Sequence, residues 1–297
     1  MTAIAAIVNK AVEDDKVIIV FYNTSKAQLG LCLESGTSDD DQPSGRWETG
    51  DGDYNGCILN PSQMAAVNYR GLQFVAAVTM PKVGPNETQT SNQISLVSPV
   101  YQQLTTTALD HVCIAMCANS DGDQGWLYYY DGTDPTERTL MEFSLRTGKS
   151  ATYSSANVVK PSSSLAAWYD SDKKQRHVIF EGSGLSEFIV EENAYSVFAA
   201  SYRPNTPIAA VYSKHTKKAY VYYVDDSLSI QRIVKRESGW GNPEALRGPS
   251  KVAEACQLTV VNANDYNHLF YIAKDSSNNV GGASYDPFEH WRDPVDD

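Results

Sequence analysis

The chain carries one short pattern of hydrophobic and polar positions that recurs along its whole length. An apolar residue is followed by small residues, a second apolar residue and then a polar turn. Copies begin at residues 4, 64, 113, 165, 208 and 258, and the third and sixth copies are less regular. Self-similarity at a period of about 50 residues is typical of repeat architectures. The pattern therefore predicts six structural repeats.

Each repeat continues with further strand-like segments separated by polar turns. A second segment lies at 17–22, 72–79, 126–130, 177–180, 219–224 and 268–272. A third lies at 29–34, 93–97, 140–145, 185–190, 229–235 and 280–285, and a fourth, which contains Trp, at 45–47, 239–241 and 290–292. No stretch of eleven residues has a helical period. The segments therefore predict strands rather than helices.

Four short strands repeated six times are typical of a β-propeller. We predict an all-β, six-bladed β-propeller with four antiparallel strands per blade, in a single domain over residues 1–297. The blades are expected near 1–60, 61–108, 109–160, 161–204, 205–253 and 254–297. Small residues suit the innermost strands, which crowd around the axis and should begin at Ile4, Met64, Cys113, Leu165, Ile208 and Leu258. The alternative is a β-sandwich or two barrels, and the near-regular spacing argues against it.

Charge and hydropathy exclude two classes of partner. The net charge is −12 with a pI near 4.8, which would repel nucleic acid. The longest apolar runs have strand length, well below the roughly 18 residues of a membrane span.

The apolar start before Lys10 is too short for a signal peptide. Two N-glycosylation sequons, at Asn23 and Asn86, favour the secretory pathway, but localisation stays open.

The cysteines and acidic loops indicate no metal site or cofactor. Cys113 and Cys117 lie on one predicted strand, about 13 Å apart, so they can form neither a disulfide nor a chelate there. Cys32 and Cys57 could form a disulfide in an oxidising compartment, which the sequence leaves open. The acidic segment 119–123 reads as a hairpin turn rather than a calcium loop, because its glycine is misplaced.

The order of elements within a repeat resembles the fungal fucose-specific lectins, which are six-bladed propellers. The resemblance rests on a small-apolar inner strand, a Val-Tyr strand, an Ile-x-Glu strand and a Trp. In the fifth repeat these are Ile208-Ala209-Ala210-Val211, Tyr220-Val221-Tyr222-Tyr223, Ile230-Gln231-Arg232 and Trp240. It implies sugar sites between blades, each with an Arg before the Val-Tyr strand and a Glu in the next strand.

The positions that correspond to this Arg–Glu pair hold other residues here. In chain order they are Ile19 and Leu31, Gln73 and Leu96, Trp126 and Glu142, His177 and Glu187, Tyr220 and Arg232, and His268 and Gly282. No repeat keeps Arg and Glu together, so we expect weak or no binding of fucose, since each lost hydrogen bond costs roughly 0.5–3 kcal/mol.

Loss of the sugar ligands is also what the resemblance to fungal hetero-Diels–Alderases implies. Those lectin-fold enzymes join a tropolone-type quinone methide to a sesquiterpene alkene. The resemblance predicts a cofactor-free pericyclase that holds diene and alkene together. The candidate catalytic residues are His177, Glu187, Tyr220 and Arg232, and the candidate substrate-binding residues are Trp126, Glu142 and His268.

Each candidate catalytic residue has an expected role. His177 or Glu187 would act as a general acid for loss of water, and Arg232 or Tyr220 would donate to the diene oxygen. The alternatives are a divergent fucose- or glycan-binding lectin and a non-catalytic small-molecule binder. The expected partner is a terpenoid or aromatic small molecule or a glycan, bound by a monomer or homodimer.

Overall fold

A computed structural model describes most of the chain. The described residues are 3–10, 18–24, 26–34, 43–48, 57–81, 83, 86–134, 136–156, 158–199, 201–254, 256–274 and 288–295. Within them the fold is all-β, with one 3₁₀ turn at Ser154–Ala156. No helix in this part of the chain has the length and apolar character that a membrane span requires.

The strands form six antiparallel sheets in chain order, which we name blades one to six. Blade one contains Ile4–Val8, Ile18–Asn23, Leu29–Glu34 and Pro43–Glu48 (β1–β4). Blade two contains Met64–Tyr69, Leu72–Thr79, Asn92–Ser98 and Gln102–Thr107 (β5–β8). Blade three contains Ala115–Ala118, Gly125–Asp131, Thr139–Ser144 and Lys149–Tyr153 (β9–β12).

The second half repeats this order with one change. Blade four contains Ala166–Asp170, Gln175–Glu181, Leu185–Ile189 and Ala194–Ala199 (β13–β16). Blade five contains Ile208–Ser213, Lys218–Val224 and Ile230–Arg236, with two short strands, Gly239–Trp240 and Glu244–Ala245, paired to the last of these (β17–β21). Blade six contains Thr259–Ala263, Tyr266–Tyr271 and Glu289–Pro294 (β22–β24).

The first strand of each blade lies beside the first strands of its two neighbours, and the ring closes between blades six and one. Within the described residues, six hydrophobic clusters fill the six blade interfaces. Alternate residues of one strand enter opposite interfaces. In β1, Ala5 and Ile7 pack towards blade two, whereas Ile4 and Ala6 pack towards blade six. A strand of period two buried on both faces explains the continuous apolar runs of the sequence.

The six-bladed all-β prediction is confirmed, but the starts of three first strands and the place of the Trp291 segment in blade six differ from it. The first strands of blades three, four and six begin at Ala115, Ala166 and Thr259, one or two residues later than expected. In blade four the reason is that the amide of Leu165 donates to the side chain of Gln63 instead of joining the sheet.

In blade six the Trp291 segment is not a fourth strand. It pairs directly with β23, and the expected third strand at 280–285 lies outside the described residues. All five cysteines are free, so Cys32 and Cys57, whose pairing the sequence left open, form no disulfide. Cys113 precedes the first strand of blade three instead of lying on it. Burial raises the pKa of the Cys113 thiol to about 12, so this thiol is inert.

Candidate functional site

Strand register defines one pair of equivalent positions in each blade. In blade four, His177 lies opposite Trp168, and Glu187 lies opposite Ile179, two residues further along β14. The same register gives the following pairs: Ile19 and Leu31, Phe74 and Leu96, Trp126 and Glu142, His177 and Glu187, Tyr220 and Arg232, and His268 and His290. Phe74 therefore replaces Gln73 as the blade-two member, and His290 replaces Gly282, which lies outside the described residues.

The blade-four pair forms a buried, charged cluster with blade five. His177 Nδ1 lies 2.7 Å from Glu187 Oε1, and both side chains are only 2% exposed. Lys235 Nζ donates to the same oxygen at 2.5 Å, and Trp240 Nε1 donates to Glu187 Oε2 at 2.9 Å. Three donors thus converge on one carboxylate, and two of them come from the neighbouring blade.

This cluster keeps Glu187 ionised. Burial alone would raise the pKa of this carboxyl, but the hydrogen bond from His177 and the positive charge of Lys235 hold the pKa below its usual value. An ionised carboxylate accepts hydrogen bonds, so His177 Nδ1 carries the proton between them. Its Nε2 is buried and has no hydrogen-bond partner among the described residues. Glu187 is therefore placed to orient His177, and a general-acid role for either residue stays a prediction.

Aromatic rings enclose the same cluster. The Trp168 indole stacks on the His177 imidazole with ring centroids 4.7 Å apart and the planes only 1° from parallel. Trp240 meets Trp168 edge-on at 6.3 Å and stacks on Phe198 at 4.2 Å. Lys235 Nζ lies 5.5 Å from the Trp240 ring centroid, within cation–π range.

A pocket of about 300 Å³ lies against this cluster, between blades four and five. We call it the blade 4/5 pocket. It is lined by Trp168, Asp170, Asp172, Lys173, His177, Tyr212, Lys217, Ala219, Lys235, Arg236 and Glu237. Seven of these residues are charged, four positively and three negatively. The pocket thus combines an aromatic surface with positively charged hydrogen-bond donors and negatively charged acceptors.

Trp126 and Glu142, the blade-three candidates, lie at a different interface, where a guanidinium of blade four joins them. Arg176 Nη1 donates to Glu142 Oε2 at 2.6 Å, and its Nε donates to Glu191 Oε1 at 2.6 Å. The guanidinium carbon lies 4.7 Å from the centroid of the Trp126 ring. Arg176 of the protein itself therefore contacts the charged and aromatic groups of this interface.

Tyr220 and Arg232, the blade-five candidates, lie at the interface with blade six. Arg232 Nη1 donates to Asp293 Oδ2 at 3.2 Å, and its Nη2 donates to Glu244 Oε2 at 2.8 Å. Tyr220 is fully buried in the hydrophobic cluster of that interface. In blade six, His268 Nδ1 lies 2.9 Å from His290 Nε2. The structure thus distributes the seven candidates over separate blade interfaces: His177 bonds Glu187, and Arg176 links Trp126 to Glu142.

Lys235, Trp240, Trp168 and Arg176 were not among the candidates. A signal existed for Trp168, because the equivalent first-strand position holds Ile7, Val67, Cys117, Val211 and Val261 in the other blades. Lys235 and Trp240 reach Glu187 from 48 and 53 residues away, so only the packing of blades identifies them.

Comparison with solved structures identifies the fold. The fucose-recognising lectin of Aleuria aurantia superposes with a TM-score of 0.71 at 12% identity, covering 98% of this chain and 91% of the lectin. AofleA from Arthrobotrys oligospora has a TM-score of 0.64 at 13% identity and coverages of 92% and 80%. The lectin SapL1, solved with α-methyl fucoside, has a TM-score of 0.63 at 10% identity and coverages of 91% and 87%.

The likeness is one of fold rather than of sequence. Neither a family model nor a curated protein sequence matches the chain. Among the described residues, no group of three or more His, Cys, Asp or Glu side chains is placed to hold a metal ion. The chain has the six-bladed propeller fold of the fungal fucose-specific lectins.

Proposed function

We propose that this protein is a lectin-type binding propeller that holds a single polar ligand, a sugar residue, in the blade 4/5 pocket. The observation that carries the proposal is the convergence of Trp168, His177 and Lys235 on a pocket of about 300 Å³. That volume is at the lower end of small-molecule sites and suits one sugar ring.

The chemistry of the lining favours a polyhydroxylated ligand over a terpenoid. Hydroxyl groups both donate and accept, and the pocket offers four cationic donors and three carboxylate acceptors. Aromatic rings can pack on the apolar face of a sugar. A terpenoid would have to desolvate these charges without replacing their hydrogen bonds, which is costly.

Glu187 would act indirectly, through residues that line the pocket. Its oxygens already accept from His177, Lys235 and Trp240, so it positions those groups. Lys235, which is 18% exposed, would contact the ligand. Because the Arg–Glu pair of the fucose lectins is absent from every described blade, we expect the sugar to differ from fucose, with weak or no L-fucose binding.

The binding test is a glycan array followed by calorimetry on the best sugar. Lys235→Ala should weaken affinity at least tenfold, since a charge-assisted hydrogen bond is lost. His177→Ala should weaken it too. The matched control is Lys149→Ala, which removes an exposed lysine from the outer strand of blade three and should leave affinity unchanged. Equal affinities in all four proteins, or micromolar binding of L-fucose, would refute the proposal.

The second candidate function is the hetero-Diels–Alderase-like pericyclase. The exchange of the sugar-binding pair for Phe74 and Leu96, Trp126 and Glu142, or Tyr220 and Arg232 favours it. In this function His177 and Lys235 would contact the substrate, whereas Arg232 is engaged with Asp293 and Glu244. Incubation with a tropolone-type quinone-methide precursor and a cyclic sesquiterpene distinguishes the two. Rate and product ratios equal to those of the uncatalysed mixture would eliminate the enzyme.

A further inference from the structure

One cavity of the molecule lies on the propeller axis. It measures about 530 Å³ and is bounded by the first strands of all six blades. We call it the axial funnel. Tyr212 is the one residue that borders both the axial funnel and the blade 4/5 pocket. The axial funnel is therefore a separate space from the proposed sugar site.

Glutamine side chains close the end of the funnel where the first strands begin. Gln257 Oε1 accepts from the amides of Ile4 and Met64 at 3.0 and 2.9 Å, and its Nε2 donates to the Met64 carbonyl at 2.7 Å. Blades six and two are not neighbours, so this side chain bridges across the axial end.

A second bridge completes the closure. Gln63 Nε2 donates to Ser164 Oγ at 2.5 Å, and Gln63 Oε1 accepts from the Leu165 amide at 3.0 Å. The Ile208 amide donates to Ser164 Oγ at 3.1 Å. Gln63, Ser164 and Gln257 are all buried. The two bridges join blades one, two, four, five and six at the end where the first strands begin.

Most residues that line the funnel have small or aliphatic side chains, while polar atoms contribute slightly more than half of its exposed surface. Ala66, Ala167 and Ala210 are half-buried and line it from three different blades. Their methyl groups leave the volume free that larger side chains would fill. Aliphatic side chains such as Ile114 and Val261 complete the lining.

The open end carries positive charge. Lys10 and Lys214 are exposed and border the funnel. The described lining residues include no Asp or Glu, although the chain has a net charge of −12. A low-dielectric cleft with one sign of charge at its mouth concentrates ligands of the opposite charge.

We propose that the axial funnel is a second ligand site, which takes a small molecule with an aromatic ring and one anionic group. The apolar part would lie among the alanine methyls, and the anion would stay at the mouth beside Lys214 and Lys10. The volume of about 530 Å³ is within the range of small-molecule sites. This site is independent of the proposed function and stands if the sugar site is wrong.

The test uses two naphthalene probes of matched shape, 2-naphthoate and 2-naphthylmethanol, with binding measured by ligand-detected NMR and calorimetry. Both should bind, and naphthoate should bind more tightly. Lys214→Ala should weaken naphthoate binding about fivefold, as expected for the loss of one exposed ion pair. It should leave the affinity for naphthylmethanol unchanged.

The decisive experiment fills the funnel with larger side chains. Ala210→Phe and Ala66→Phe should each abolish binding of both probes while the melting temperature stays near that of the wild type. Ala151→Phe, at an exposed position on the outer strand of blade three, is the matched control and should bind normally. Lys235→Ala should also bind normally, which separates this site from the blade 4/5 pocket. Naphthoate binding that survives in both folded filling variants, or no binding to the wild type, would overturn the proposal.

Discussion

Glu187 shows how one buried residue organises its surroundings. A carboxylate that is 2% exposed is costly unless it is paired, and here His177, Lys235 and Trp240 all donate to it. The arrangement holds an imidazole, an ammonium and an indole in fixed positions beside the pocket. The carboxylate therefore acts as a structural anchor whose charge state decides whether the cluster is intact.

The pH dependence of stability tests this anchor. Because the pKa of Glu187 is lower in the folded chain than its ordinary value of 4.5, its stabilisation is fully present above that value. It is lost as the pH falls through the lower folded pKa. Glu187→Gln should cost about 3–5 kcal/mol at pH 7, as for other broken buried pairs. In urea unfolding, the difference in the free energy of unfolding between the wild type and Glu187→Gln should shrink between pH 5 and pH 3.

The control for this experiment is Glu192→Gln, an exposed carboxylate that accepts from Gln175 Nε2. It should change stability by less than about 0.5 kcal/mol at either pH. A gap between wild type and Glu187→Gln that stays constant with pH would mean that Glu187 is not the group that titrates.

At the scale of elements, a pair across two strands sets the packing of blade one. Gly30 in β3 lies opposite Tyr22 in β2. A Cβ at position 30 would lie 2.4 Å from the Tyr22 ring. The ring occupies the space that a side chain would need, so β3 needs a glycine at this position.

Gly30→Ala should destabilise the protein by about 1–3 kcal/mol, because the Tyr22 ring must leave its position. The double variant Gly30→Ala/Tyr22→Leu should lose less than the sum of the two single changes, since the clash disappears with the ring. Thermal or urea unfolding measures both. Strictly additive losses would show that the ring and the glycine do not interact in this way.

At the scale of the whole molecule, Gln257 connects the end of the chain to its beginning. Its side chain joins blade six to Ile4 of blade one and Met64 of blade two. The ring of blades closes at this junction, where no continuous backbone crosses. The junction is therefore the point at which side chains replace chain connectivity.

Gln257→Ala should cost about 2–4 kcal/mol, since it leaves two buried amides and one carbonyl without their partner. The comparison is Gln231→Ala, whose side chain bonds Asp225 within a single blade and should cost about 1 kcal/mol or less. Urea unfolding with limited proteolysis of the first and last blades measures the difference. A smaller loss for Gln257→Ala than for Gln231→Ala would argue against this closure.

The sequence alone determined the architecture of this protein. The repeat is a local sequence pattern: a motif of small and apolar residues recurs at a period of about 50 residues, and three further strand segments follow it. Its physical cause is also local. Strands buried on both faces show continuous apolar runs, and strands beside an axis need small residues. The pair positions in five of the six blades also follow from this repeat, to within one residue.

The tertiary structure alone decided which side chains meet. Lys235 and Trp240 reach Glu187 from the next blade, Arg176 fills the interface around Glu142, and Gln257 spans two blade junctions. These contacts depend on the stagger and packing of separate sheets, for which local periodicity carries no information. The candidates Tyr220 and Arg232 were matched to His177 and Glu187 by position in the repeat, but equivalent positions in different blades lie around a ring and not around one pocket.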